Sequence, residues 1–321
     1  MAHGKQSENI FLFMLTDGPE LSDPHAIYTR MANKLPTAKR VSILSALVEG
    51  NSVASVTRML DVSKDAVLKL LEDVGAACQA YQDKHFRNLT CKNIECDEIW
   101  AFCHAKDKNV PDEQKNIFGY GSVWTWVAID SDTKLALAWL VADRSEMAAK
   151  VFIQDVSERL THRVQLTTDG YKPYLTAVRD AFDGEIDYAM LVKQYGNNPE
   201  GQKRYSPAEC CGAKKVKVSG SPKTGRISTS YVERQNLTMR MGMRRFTRLT
   251  NAFSKKVENH MHAISLHFMY YNFCRIHSTL RTTPAMSSGV ADKKWTIADI
   301  VAMLPDEQPV KPSGLTPIRR G

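Results

Sequence analysis

The chain has 321 residues, enough for one large core or for two to three domains. With 43% hydrophobic and 24% charged residues it resembles an ordinary globular protein, and it has no apolar run of about 18 residues that would predict a membrane span. The net charge of +8 is unevenly spread, because residues 193–281 hold 17 Lys and Arg against 4 Glu, which is +13. This asymmetry favours a nucleic-acid partner over an ordinary solvated surface.

The seven cysteines are odd in number and form no C-x-x-C pair. Cys103-His104, downstream of Cys91 and Cys96, does not match a usual zinc-finger spacing. We therefore expect unpaired thiols in a reducing cytoplasm and no contact with a membrane.

The N-terminal region predicts a helix-turn-helix. Residues 1–32 lack sustained periodicity and are expected to form a loose extension. Residues 33–85 predict a helix, a short helix and a third helix with Ser63 as its N-cap. In a helix-turn-helix the last helix enters the major groove, and Lys64 and Lys69 would point outward from it. An ordinary three-helix bundle that binds nothing is the alternative.

Residues 90–280 predict a mixed α/β domain. Three strands (NIECDEIWAFC, VWTWVAID and LALAWLVA) precede a helix capped by Ser145, a strand ending in TTDG, a second helix and a last strand, IDYAMLVKQY. Residues 195–229 are rich in Gly, Pro, Ser and Lys and predict a long basic loop. Helices resume at Tyr231. A short helix in TIADIVAML and a frayed tail make up most of residues 281–321.

Three acidic residues occur at positions suited to chemistry. Asp97 lies along the first strand, Asp169 ends the fourth, and Glu233 begins the helix after the basic loop. Carboxylates from separate elements are sufficient for Mg²⁺, which keeps several waters. These acids also have structural explanations. Asp-Gly often ends a strand, and a Glu in the first turn of a helix interacts favourably with the helix macrodipole. Because side chains alternate along a strand, we expect only one of Asp97 and its neighbour Glu98 to join Asp169 and Glu233, and we predict that it is Asp97.

Three motifs resemble those of the DDE transposases of bacterial insertion sequences, closest to the insertion-sequence-one family. They are DEIW, TTDGY and YVERQNLTMRMGMRRFTRLTNAFSKKVENH, and HFMYYNFCRIHSTLRTTPAM is similar to a tail shared by many transposases and integrases. The resemblance covers roughly residues 33–290 and implies an RNase H-like catalytic domain, in which Asp97, Asp169 and Glu233 bind two Mg²⁺ ions, with Mn²⁺ as a substitute. It also implies DNA contacts by the basic residues that surround Glu233: Arg234, Arg240, Arg244, Arg245 and Arg248.

The resemblance predicts a transposase that binds element ends, cuts the strands and joins them to target DNA, as a homo-oligomer on DNA in the cytoplasm at the nucleoid. Two features depart from the family: no N-terminal Cys-based zinc finger is found, and the stretch between Asp169 and Glu233 is long. Since the resemblance begins just after Met31, that residue is a candidate native start. The alternatives are a catalytically inactive, transposase-derived DNA-binding protein and a simple RNase H-like nuclease.

Overall fold

The computed structural model describes residues 35–196, 210–247 and 252–304. The predicted N-terminal extension, the C-terminal tail and Arg248 lie outside these ranges. None of the helices within them is both long and apolar enough to cross a membrane. The buried cysteines of the described residues, Cys78, Cys91, Cys96, Cys103 and Cys274, are free thiols.

The described residues form six strands and nine α-helices, and a π-helical turn (Tyr270–Cys274) extends the seventh helix. The strands are β1 (Asn93–Cys103), β2 (Gly121–Asp130), β3 (Ala136–Ala142), β4 (Gln165–Thr168), β5 (Asp187–Tyr195) and β6 (Cys210–Ser219). The helices are α1 (Thr37–Val48), α2 (Val53–Leu60), α3 (Lys64–His85), α4 (Glu146–Glu158), α5 (Pro173–Phe182), α6 (Ser230–Gly242), α7 (Val257–Met269), α8 (Pro284–Ser287) and α9 (Ile297–Ala302).

The strands form one mixed sheet in the order β3-β2-β1-β4-β5-β6. The first three strands are antiparallel neighbours. β4 is parallel to both β1 and β5, and β6 closes the sheet antiparallel to β5. The predicted mixed α/β layer architecture is therefore present.

β6 corrects one prediction, because residues 195–229 were expected to be loop throughout. The strand CCGAKKVKVS has lysines at three of its ten positions, which hides the apolar alternation of a strand. Backbone pairing with β5 makes it a strand, and its lysines stay in solvent because it is an edge.

The predicted helix starts carry the expected caps. The Ser63 hydroxyl accepts a hydrogen bond from the Ala66 N–H at 3.1 Å, and the Ser145 hydroxyl accepts from Ala148 N–H at 3.1 Å. A capping box opens α9 at Thr296. Each cap satisfies an N–H that the helix leaves unpaired, so these local signals set the helix starts.

Helices cover both faces of the sheet. On one face the Trp126 indole of β2 contacts Phe152 of α4 and Tyr174 of α5, with ring centroids 5.8 and 5.7 Å apart. On the other face Trp139 of β3 stacks on Phe268 of α7 at 4.6 Å, and α6 packs against β1 and β2. Neighbouring side chains of a strand therefore meet different helices.

The three N-terminal helices pack closely on the rest of the protein. α3 packs along α7, and at Gly75 of α3 a Cβ would lie 2.4 Å from the Cβ of His262. Gly50, which follows α1 with φ +83°, approaches α6: a Cβ there would lie 3.1 Å from the carbonyl oxygen of Gly242. Only glycine permits such contacts. All three helices contribute to one core cluster with sheet residues, so the boundary between the predicted domains remains a prediction.

Candidate functional site

Two acidic residues lie just beyond the parallel pairing of β1 with β4. Cys96 of β1 and Thr168 of β4 are the last paired residues, so Asp97 and Asp169 come next on neighbouring strands. Carboxylate oxygens of these two residues and of Glu98 lie within 4.8 Å of one another. In the part of the chain that the structure describes, no other group of three His, Cys, Asp or Glu side chains is close enough to hold a metal ion. We refer to Asp97, Glu98 and Asp169 as the acidic cluster.

Asp97 and Glu98 turn to opposite faces of the sheet. The Asp97 carboxylate faces α6 and accepts a hydrogen bond from Asn236 Nδ2 at 2.9 Å. The Glu98 carboxylate faces α5, where it accepts from the Tyr174 hydroxyl and, at 3.0 Å, from Arg144 Nε. The expected alternation is present. Asp97 lies on the same face as α6, which carries Glu233, whereas Glu98 approaches Asp169 from the other face of the sheet. That Asp97 and not Glu98 binds the metal stays a prediction.

Burial and mutual repulsion disfavour the ionised forms of these acids. Burial, followed by the charges of Asp169 and Glu233, raises the pKa of Asp97 to about 6. Burial and the charge of Asp169 raise the pKa of Glu98 to about 7, against the opposing hydrogen bond from α5 and the positive charge of the nearby arginine. A cation bound between the carboxylates would remove this repulsion.

The donor set fits a hard divalent cation. All candidate ligand atoms are carboxylate oxygens, the type that Mg²⁺ and Mn²⁺ prefer. The Asp169 side chain is 32% exposed, which leaves room for the waters that Mg²⁺ retains. Asp97 and Asp169 are therefore suited to bind such an ion, and Glu98 competes with Glu233 for the role of third ligand.

Glu233 lies in the first turn of α6, where two partners hold it. Lys193 Nζ of β5 lies 2.7 Å from its Oε2, and the Thr229 hydroxyl donates to its Oε1. Asn236, one turn further along α6, is the residue that binds Asp97. Glu233 lies close enough for its charge to raise the pKa of Asp97, although among the described residues it is not a member of the acidic cluster.

Arg144 is a cation of this site that sequence reasoning missed. Besides its bond to Glu98, its Nη2 lies 3.6 Å from Asp169 Oδ2. Its guanidinium lies over the rings of Trp124 and Tyr171, 4.9 and 4.2 Å from their centroids. The stacking fixes the positive charge beside the acidic cluster. No motif marks Arg144 in the sequence.

Asn236, Lys193 and Glu95 were also absent from the predicted site. Asn236 stands three residues after Glu233 in the ERQN motif, and this spacing places the two on adjacent turns of a helix, so a usable signal existed. Lys193 and Glu95 carried no such signal, because they lie on strands and contact the start of α6 only in the folded protein.

The predicted DNA-binding lysines lie on the surface of α3. Lys64 and Lys69 are both exposed, and Lys69 forms a 3.5 Å ion pair with Asp73. Lys64 also lines a groove of about 560 Å³ between the N-terminal helices and the segment after α6, which Arg244 and Lys255 line as well. Two basic regions that are distant in sequence thus share one concave surface.

The arginines in and after α6 differ in their surroundings. Arg234 and Arg244 are exposed, and Arg240 is partly buried. Arg245 is also partly buried; it donates from Nη1 to Ser254 Oγ at 2.7 Å, and burial lowers its pKa to about 10. Its guanidinium is committed to a contact inside the protein, which disfavours the predicted contact of Arg245 with phosphate.

No protein-family model matches the chain, and no curated protein matches it. Among solved structures it is similar to the piggyBac transposase synaptic complex with hairpin DNA, with 14% identity over 94% of this chain and 75% of that one and a TM-score of 0.37. A pre-cleavage Mos1 transpososome has 13% identity over 54% of this chain and 61% of that one, with a TM-score of 0.20. The Mos1 mariner paired end complex with Mn has 15% identity over 55% and 64%, also with a TM-score of 0.20. These likenesses are distant, and the function of the chain is therefore inferred from the site itself.

Proposed function

We propose that this protein is a DDE-type transposase, which cuts DNA at the ends of an insertion sequence and joins the freed strands to target DNA. The observation that carries the proposal is the meeting of Asp97 and Asp169 where the parallel pairing of β1 and β4 ends, beneath a helix that carries Glu233 and that hydrogen-bonds Asp97 through Asn236. This arrangement gathers hard oxygen ligands at the carboxyl end of β4, and phosphodiester chemistry with divalent ions needs such ligands.

In this proposal Asp97, Asp169 and Glu233 hold two Mg²⁺ ions, or Mn²⁺ in their place. The bound ions would make the attacking oxygen more nucleophilic and stabilise the leaving oxygen. Glu233 is held by Lys193 and Thr229, and ligation would exchange the lysine contact for a metal contact. A freed 3′-hydroxyl would then attack the target phosphodiester without a covalent protein intermediate.

The proposed DNA contacts come from two regions. α2 and α3 form the helix-turn-helix that binds the terminal repeats, with Lys64 and Lys69 on its outer side. Arg234, Arg240 and Arg244 would contact phosphates beside the acids, and the groove shared by Lys64 and Arg244 supports a single DNA path over both regions. Phosphate contacts of this kind position the duplex and make binding fall with salt. A homo-oligomer on DNA at the nucleoid completes the proposal.

An RNase H-like fold of the catalytic domain is part of the same proposal. Three antiparallel strands followed by two strands parallel to the first support it, with helices on both faces of the sheet. The two acids lie at the point where β1 and β4 diverge, which is where ligands bind in open α/β sheets.

The alternative functions make different predictions for one set of assays. The test uses linear DNA carrying the sequences that flank the gene on each side, a supercoiled target plasmid and Mg²⁺ or Mn²⁺. A transposase cuts near the flanking repeats and yields joined products, and D97N, D169N and E233Q abolish both steps while retaining DNA binding in a gel shift. A simple nuclease cuts without joining, and an inactive descendant binds without cutting. Cleavage by E233Q at the wild-type rate would refute the assignment of Glu233.

A further inference from the structure

The start of α6 lacks the cap that its own sequence offers. Thr229 stands at the N-cap position, where a threonine hydroxyl ordinarily accepts a hydrogen bond from an N–H of the first turn. The Thr229 hydroxyl makes no such bond. It donates instead to the Glu233 carboxylate. The first-turn N–H groups of α6 therefore need an acceptor from elsewhere in the protein.

Glu95 of β1 is that acceptor. Its Oε2 accepts from the Tyr231 N–H at 2.8 Å and from the Val232 N–H at 3.1 Å. These are the second and third residues of the helix, the positions that a cap ordinarily serves. The Glu95 side chain is buried, with the residue only 3% exposed. One buried carboxylate oxygen thus satisfies two of the N–H groups that the helix itself leaves unpaired.

The cap connects two of the proposed metal ligands. Glu95 stands two residues before Asp97 on the same strand, so both side chains face α6. Tyr231 and Val232 immediately precede Glu233. A shift of the first turn of α6 relative to β1 would therefore change the separation of Asp97 and Glu233, and the Glu95 bonds oppose that shift.

A second contact holds the same turn. Lys134, between β2 and β3, places its Nζ 3.5 Å from the centroid of the Tyr231 ring, and its ammonium also donates to the Ser131 carbonyl. The first turn of α6 is thus fixed from β1 and from the β2–β3 turn, while the Thr229 hydroxyl remains available to orient Glu233.

We propose that Glu95 is a positioning residue, which caps α6 from the neighbouring strand and so sets the distance between Asp97 and Glu233. This inference rests on the proposed function, because it assumes that these two acids share metal. Glu95 is not a member of the acidic cluster, and the positioning role requires only an acceptor oxygen at Oε2 for both N–H groups.

Two substitutions separate positioning from ligation. E95Q keeps an oxygen that can accept both N–H groups, whereas E95M has similar length and no acceptor. We expect E95Q to bind Mn²⁺, followed by electron paramagnetic resonance, within about 3-fold of wild type. We expect E95M to bind it at least about 10-fold more weakly, the range typical of residues that orient ligands. T296V is the matched control, because it removes the cap of α9, which carries none of the proposed site residues.

Hydrogen exchange of the Tyr231 and Val232 amides gives a readout that does not depend on metal. Both amides should be protected in wild type, E95Q and T296V, and should exchange at least about 10-fold faster in E95M. Folded E95M with wild-type Mn²⁺ affinity and amide protection would overturn the proposal. So would an E95Q variant that binds Mn²⁺ as poorly as D97N, since Glu95 would then act through its charge. If E95M does not fold, E95Q still tests the proposal: Mn²⁺ affinity as poor as that of D97N overturns it, and affinity within about 3-fold of wild type supports it.

The two proposals fail in different ways. Suppose that the wild-type protein binds Mn²⁺ and shows Glu95-dependent protection of the Tyr231 and Val232 amides, but cuts no DNA. The proposed transposase function is then wrong, and the proposed positioning role of Glu95 is retained. Suppose instead that wild type and folded E95M both cut and join DNA and need the same Mn²⁺ concentration to do so. The Glu95 cap then has no positioning role, and the proposed transposase function is retained.

Discussion

Substituting Asp97 by Asn should stabilise the metal-free protein. Asp97 carries an electrostatic penalty in the fold, because burial and the charges of Asp169 and Glu233 raise its pKa from 3.8 to about 6. Asparagine keeps an oxygen that can accept the hydrogen bond from Asn236 and removes the charge. A shift of about two pH units corresponds to about 3 kcal/mol. This is an upper value, since Asp97 is only partly buried and solvent screens its charge.

The sign of the pH dependence follows from the direction of the shift. An acid with a raised pKa binds more protons in the folded state than in the unfolded state, so its ionisation costs stability as the pH rises from its unfolded pKa to its folded pKa. The advantage of D97N over wild type should therefore be absent below about pH 3.8, about half developed at pH 5, and complete above about pH 6.

Thermal unfolding in EDTA, at about pH 5 and about pH 8, measures this difference. At roughly 2 °C per kcal/mol for a chain of this size, D97N should melt up to about 6 °C above wild type at the higher pH and about half of that at the lower pH. Added Mg²⁺ or Mn²⁺ should raise the melting temperature of wild type far more than that of D97N. A variant that melts at or below wild type at pH 8 in EDTA would show that repulsion among the carboxylates does not destabilise the metal-free fold.

Three further predictions concern the remaining site and surface residues. E233Q should lower the DNA cleavage rate by more than about 100-fold, which exceeds the effect of losing a residue that merely orients a ligand. E98Q should lower the rate less. If a cleavage assay gives the reverse order, Glu98 is the third ligand. R244A should reduce the slope of log affinity against log salt by about 1 in fluorescence anisotropy, whereas R245A should leave that slope unchanged and lower the melting temperature, because Arg245 bonds to the protein interior. S63A should cost about 1 kcal/mol in urea unfolding through loss of the α3 cap; an unchanged midpoint would contradict that role.

The sequence was most informative where the determining signal is local. The strand NIECDEIWAFC occupies the predicted span, from Asn93 to Cys103, because aromatic and branched apolar residues favour a strand there. Ser63 caps α3, as the sequence predicts from a serine placed directly before the helical repeat of apolar residues. Asp169 ends a strand, as Asp-Gly often does. Asp97 and Asp169 meet because the strands that carry them are parallel neighbours.

The missed features all depend on contacts between distant parts of the chain. Arg144 and Glu98 are brought together by the packing of helices on the sheet, and neither residue has a local signal for the other. β6 is a strand because β5 offers it an edge, while its own lysines mask the alternation. The approach of Glu98 to the end of β4 depends on how short that strand is. Residue patterns predict the boundaries of a strand poorly.

The glycine contacts at Gly50 and Gly75 have a consequence for the proposed reaction. They join the N-terminal helices to α6 and α7 at backbone distance, with no space for a side chain between them. A terminal repeat bound by α3 would therefore be held at a fixed position relative to the acidic residues, because no flexible linker separates α3 from them. If the protein is the proposed transposase, we expect the cut to fall a fixed number of base pairs from the bound repeat. A spacer changed by half a helical turn would then carry the scissile phosphate to the wrong side of the duplex.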